Sequence, residues 1–92
     1  MIVRILSEGQ YDVPDAEVDG LNALDDAVHS AINGGDAETF TNALGALLDA
    51  VRKVGGPISD EDIMASDAIL PPADATIDEA RELLQDDGLI PG

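Results

Sequence analysis

Ninety-two residues suffice for one hydrophobic core and are too few for two, because a much smaller body cannot bury the surface it needs; residues 1–92 are therefore expected to form one domain. Twenty Asp and Glu against four Lys and Arg give a formal charge of -16, which opposes direct binding to nucleic acid or to an anionic bilayer. The absence of cysteine excludes disulfides, thiolate metal sites and thiol nucleophiles, and it fits a reducing compartment, the cytoplasm.

Met1 to Leu6 is rich in β-formers, with Val3 and Ile5 on one face and Ile2, Arg4 and Leu6 on the other. This run, broken by Arg4, is too short for an export signal or a membrane span, so a chain neither exported nor inserted is expected. Ser7-Glu8-Gly9 signals a turn and Gln10 to Val13 reads as a return strand. The pair predicts a β-hairpin that must pack against helices, since two strands alone are marginal.

Pro14 suits a first helical turn, and Asp15 and Glu17 place negative charge at the positive end of the helix dipole. Val18, Leu21, Leu24 or Asp25, Val28, Ala31 and Ile32 then follow a three-and-four spacing, with the apolar member taken at Leu24. Gly34-Gly35 ends this helix, because glycine accepts the left-handed conformation of a C-terminal cap, and Asp36 is placed to cap the next. A second helix is predicted from about Ala37 to Val54, burying Phe40, Leu44, Leu47, Leu48 and Val51, with Arg52 and Lys53 at its negative end. Gly55-Gly56-Pro57 stops it. The short connection predicts an antiparallel helix hairpin.

Ser59 to Met64 carries a Ser-x-x-Asp start and is read as one helical turn; Ala68-Ile69-Leu70 reads as extended, and Pro71-Pro72 forbids regular helix. Thr76 with Glu79 forms a capping box, and Ile77, Ala80, Leu83 and Leu84 supply the stripe of a last helix ending near Asp87-Gly88. The predicted fold class is α+β: an N-terminal β-hairpin packed on an antiparallel helix hairpin, with a further C-terminal helix. With Tyr11 and Phe40 as the only aromatic residues, the core is expected to consist of Leu, Ile, Val and Ala.

The acidic excess is mostly Asp, and Lys53 is the only lysine, a bias shared with proteins of salt-loving archaea. Like charges on so small a body repel in dilute buffer, whereas at molar salt the screening length falls to about 3 Å. Salt tolerance accounts for the acidity; the alternative is that it marks a surface for a basic partner.

Chemistry leaves few traces. His29 is the sole histidine, and a dyad would have to pair it with Ser30, Ser7, Ser59 or Ser66; an isolated histidine, on a helix surface or part-buried, is the simpler reading. Asp15, Glu17, Asp19, Gly20 and Asp26 imitate part of a calcium-binding loop. Asp26 stands where glutamate is usual, however, no helix precedes Pro14, and Val18, Leu21 and Leu24 fit a helical stripe that a loop would break. Neither glycine pair is followed by the lysine of a phosphate-binding loop. No enzyme activity, cofactor or metal is expected.

The segments Met1-Ile2-Val3-Arg4-Ile5-Leu6, Glu8-Gly9-Gln10-Tyr11, Leu21-Asn22-Ala23-Leu24-Asp25, Leu70-Pro71-Pro72-Ala73-Asp74-Ala75-Thr76 and Gly88-Leu89-Ile90-Pro91-Gly92, in this order over the whole length, resemble the PspA-associated protein family, PspAA, of archaea and actinobacteria. The resemblance implies a companion of phage-shock protein A, the coiled-coil protein that guards the inner face of the cytoplasmic membrane during envelope stress. It implies an adaptor or regulator, and brings no catalytic residue that can be placed on this chain. The rival reading is a non-catalytic regulatory subunit of a larger enzyme such as a membrane-stress protease. Self-association leaves no mark in the sequence.

Apolar residues recur in two Pro-containing segments, Ile69-Leu70-Pro71-Pro72 and Leu89-Ile90-Pro91. Either both pack over the helix hairpin and complete the core, or they form an exposed docking strip. In the second case Tyr11, Ile69, Leu70, Pro71 and Ile90 are the candidate contacts for a PspA-like coiled coil.

Overall fold

The computed structural model describes residues 1–83. Strands β1 (Ile2–Ile5) and β2 (Gly9–Asp12) form the predicted antiparallel hairpin, with Val3 opposite Tyr11 and Ile5 opposite Gly9. The reversal is sharp enough to hold Ser7 at φ 76° and Gly9 at φ 133°, and only glycine accepts the second of these without strain.

Helix α1 (Asp15–Gly34) begins directly after Pro14. It ends on Gly35, whose left-handed φ of 72° turns its N–H onto the carbonyls of Ala31 and Ile32. Asp36 then caps helix α2 (Ala37–Val54) by accepting hydrogen bonds from the backbone N–H groups of Glu38 and Thr39 and from the Thr39 hydroxyl. So short a link leaves the two helices antiparallel and packed on one another. Helix α2 ends at Gly55 for a reason other than left-handed capping, since Gly55 is extended, with φ -89° and ψ 141°. A Cβ there would lie 2.7 Å from the Val51 carbonyl oxygen and 2.9 Å from Tyr11 Cβ, so the missing side chain is what lets the helix end close onto β2.

Past α2 the sheet gains two strands. Gly56–Pro57 (β3) pairs antiparallel with β2, and Ala68–Leu70 (β4) pairs parallel with β1, giving the order β3-β2-β1-β4. The extended character of Ala68 to Leu70 was expected from sequence, but its pairing with the first strand was not. Between them, Ser59 caps a single 3₁₀ turn at Asp60–Asp62 by accepting from the Glu61 N–H. Both edge strands are short, two residues in β3, which holds Pro57, and three in β4, which Pro71-Pro72 end, and this disfavours the addition of further strands. Helix α3 (Ile77–Leu83) opens with the predicted capping box: Thr76 Oγ1 accepts from the Glu79 N–H while the Glu79 carboxylate accepts from the Thr76 N–H. Leu84 and the predicted helix end at Asp87-Gly88 lie outside the described residues.

The core lies between one face of the sheet and the helix hairpin. Val3, Ile5, Ala68 and Leu70 from the sheet meet Leu21, Val28, Ala31 and Ile32 of α1 and Phe40, Leu44, Leu47, Leu48 and Val51 of α2. The α2 stripe is the predicted one. In α1 the buried line runs Leu21, Asp25, Val28, Ile32, and this corrects the choice of Leu24: Asp25 is 1% exposed, whereas Leu24 is only half-buried at the margin. Steps of four, three and four residues keep to one helix face, and position 25 falls on it whatever its side chain.

Candidate functional site

Strand alternation gives the sheet a second face, and no described helix covers it. Because Val3 and Ile5 point into the core, Ile2 and Arg4 point away, and the register sets Arg4 between Gln10 of β2 and Ile69 of β4. Leu6 and Ile69 are among the exposed large hydrophobic residues, at 36% and 38%. Two more, Ile63 and Met64, belong to the segment that crosses from β3 to β4.

Gln10 holds that segment in place. Its amide Nε2 donates to the Met64 carbonyl and to Ser66 Oγ at 2.8 Å, and its Oε1 accepts from the Met64 N–H at 2.9 Å. The Gln10 side chain is thereby buried to 4% exposure on the outer side of the sheet with its polar atoms paired. Asp67 adds a second tie by accepting from the Ile2 N–H at 2.8 Å. The crossing segment therefore shields the β2 side of the outer face and leaves the β1–β4 side open.

Arg4 is the distinctive group on this face. Among the described residues Arg52 pairs with Glu8 and Asp49, and Arg81 pairs with Asp78, while Arg4 has no ion pair. It is half-buried, with Ile69 directly across from it in β4. Acidic residues stand around the edge: Asp12 opposite Ile2, Asp67, and the 3₁₀ turn Asp60-Glu61-Asp62.

Among the described residues the sequence-derived strip does not form one surface. Adjacent residues of a strand face opposite ways, so Ile69 looks outward while Leu70, fully buried, joins the core. Pro71 is buried as well. Tyr11 shares the core-facing side with Val3 and is half-buried, its hydroxyl 3.4 Å from the Glu8 carboxylate. Ile90 lies outside the described residues. Of the two readings of the Ile69-Leu70-Pro71 segment, completion of the core accounts for Leu70 and Pro71, and only Ile69 remains available to a partner. The residues missed from sequence are Arg4, Leu6, Ile63 and Met64. The available signal was Met1 to Leu6 itself, apolar at both parities.

At the opposite end of the hairpin, Arg52 grips the turn, making a two-point hydrogen-bonded ion pair with the Glu8 carboxylate and a further bond to Asp49 at 2.9 Å. These Arg52 hydrogen bonds hold the Glu8 carboxyl below its ordinary range, helped by the guanidinium charge and the Tyr11 hydroxyl and opposed by partial burial. The contact fastens the β1–β2 turn to the C-terminal end of α2.

The candidate calcium ligands Asp15, Glu17, Asp19 and Asp26 lie exposed along the continuous helix α1, where no loop exists to gather them. His29 is half-buried on the same helix, and its side chain makes no hydrogen bond among the described residues. No group of three or more His, Asp or Glu side chains in the described residues could hold a metal ion. An open groove of about 400 Å³ separates the starts of α2 and α3, lined by Phe40, Thr41, Asp74, Thr76 and Asp78 among others; its lining holds no histidine or lysine to act as a base for either threonine. No described helix is long and apolar enough to cross a membrane.

Fold and surface together define a small two-layer α+β domain whose sheet presents one partly apolar face to its surroundings. The chain belongs to the PspAA family: the family model described as PspA-Associated protein matches residues 1–92. No curated protein and no solved structure matches it.

Proposed function

We propose that this chain is a non-catalytic adaptor or regulator that binds a PspA-type coiled-coil protein in the envelope stress response. The observation that carries this reading is the family match over residues 1–92, since a family defined by association with PspA implies a surface for it. The open face of the sheet supports the same reading, because exposed apolar groups around an arginine with no ion pair among the described residues suit contact with another polypeptide better than they suit water. The chain works in the cytoplasm and reaches the inner side of the membrane through its partner, as its charge of -16 repels an anionic bilayer.

Co-purification of the tagged protein at high salt from its native cell tests the proposal. Recovery of a PspA-type coiled coil in stoichiometric amount is the expected result. Recovery of a membrane-stress protease or another enzyme in its place would make the chain a regulatory subunit, and turnover of a small molecule by the purified chain alone would refute the non-catalytic reading.

A further inference from the structure

We propose that the outer face of the sheet seats an amphipathic α-helix of the partner, one that carries a carboxylate within its apolar stripe to meet Arg4 and lysines or arginines along its flanks. This rests on the adaptor reading above and names the surface and the partner chemistry that reading requires.

The strands themselves point to a covering layer. Parallel strand pairs are normally buried on both faces and read as continuous apolar runs. Apart from Arg4 the β1–β4 pair has that character, with Ile2 and Ile69 on the outer side, Leu6 directly after β1, and Val3, Ile5, Ala68 and Leu70 on the inner side. Helices of this chain cover the inner side alone among the described residues. A helix laid on the outer side would complete a third layer, and layered packing of this kind is how sheets ordinarily bury a second apolar face. Addition of a strand is the poorer alternative, because both edge strands are short and each holds or ends at proline.

Charge selects the occupant. In a chain with twenty acidic residues, a half-buried arginine with no ion pair among the described residues is notable, and covering it without an opposing carboxylate would strand a charge in an apolar interface. The partner must therefore bring an acid to the centre. The rim makes the opposite demand: Asp12, Asp67 and the Asp60-Glu61-Asp62 turn call for basic residues at the flanks. A second copy of this chain cannot meet the second demand: with four basic residues against twenty acidic ones it has little to set against the rim, and -16 would stand on each side.

Isothermal titration of the purified chain with the purified PspA-type protein from the same cell is the test. Wild type is expected to bind. Ile69→Asp and Leu6→Asp, at positions exposed enough to leave the circular dichroism spectrum unchanged, are each expected to weaken binding by about tenfold or more, because an unpaired carboxylate would be buried against the helix. Arg4→Glu is expected to weaken it comparably, and Ala27→Asp, on the exposed side of α1, to leave it unchanged. Should wild type bind and all three outer-face variants bind as tightly, the seat is elsewhere and the adaptor reading survives. If wild type does not bind at all, the adaptor reading falls and the seat with it. Light scattering that shows a dimer abolished by Ile69→Asp would overturn the helix in favour of a second copy.

Discussion

Replacing Gln10 by leucine removes the side chain that holds the segment from Ser59 to Asp67 against the sheet, and the cost can be worked from its bonds. Three hydrogen bonds disappear, to the Met64 carbonyl, to Ser66 Oγ and from the Met64 N–H. If the segment stays in place, partly buried backbone groups are left unpaired, at about 1–3 kcal/mol each. If it lifts into water, the loss is the net worth of the bonds, about 1 kcal/mol each, offset in part by the conformational freedom the segment regains. The second route costs less, and it sets the expected destabilisation at about 2 kcal/mol. Urea titration in molar salt measures it, and amide exchange locates it: the Met64 amide should lose protection while amides at the centre of α2 keep theirs relative to global unfolding. Gln10→Glu should behave differently with pH. Its carboxylate could accept from the Met64 N–H but would oppose the Met64 carbonyl, so the folded-state pKa at that position would rise and the defect would shrink as pH falls through it. An unchanged urea midpoint for Gln10→Leu, with Met64 still protected, would refute the idea that this amide is the anchor.

The Glu8–Arg52 pair, each side chain about one-third exposed, should show a coupling of about 0.5–1 kcal/mol in a double-mutant cycle, since solvent screening limits such pairs even when they are two-pointed. The Glu8 pKa is lowered on folding, so its contribution is fully present above the ordinary value of 4.5 and is lost as pH falls through the lower folded-state value; urea titrations at pH 7 and in the acid limb should show the coupling disappear. Gly55→Ala should destabilise by about 1–3 kcal/mol through forced contact with the Val51 carbonyl and Tyr11, whereas Gly45→Ala, which meets nothing within 4 Å inside α2, should stabilise by about 0.5–1 kcal/mol through helix propensity; thermal melts of the two variants test the contrast. Dialysis of the wild type from molar to millimolar salt should cost far-UV circular dichroism as repulsion among the twenty acids loses its screening, and a full native spectrum in millimolar salt would count against salt adaptation as the role of the charge.

The helix hairpin was legible because its determinants are local. Asp36 caps α2, Gly35 closes α1, and the α2 stripe repeats at the period of one helix face, so each signal lies within a few residues of what it controls. The pairing of β4 with β1 depends on contacts between residues some 65 positions apart, such as Val3 with Ala68, and three apolar residues in a row do not say which way each will face. That ambiguity undid the predicted strip. Ile69 and Leu70 are neighbours in sequence and stand on opposite sides of the sheet once the strand is paired. Asp25 shows a related limit: periodicity assigned the position to the buried face, but the expectation of an apolar side chain moved the choice to Leu24. Gln10 was invisible for a different reason, since a lone glutamine carries no pattern and its role arises only when residues 64 and 66 are brought to it.

The acidic surface and the open face answer different physical demands. At the salt concentrations where the chain's own repulsion is quenched, a screening length of about 3 Å also removes long-range attraction to a basic partner, so charge alone would leave the complex weak. Burial of Leu6, Ile63, Met64 and Ile69 escapes that screening. On the proposed reading the affinity would come from the apolar face, while Arg4 and the acidic rim would act at contact range to fix which helix is accepted and in which direction it lies. It follows that raising salt should slow association with the partner more than it speeds dissociation, whereas Ile69→Asp should act chiefly on dissociation.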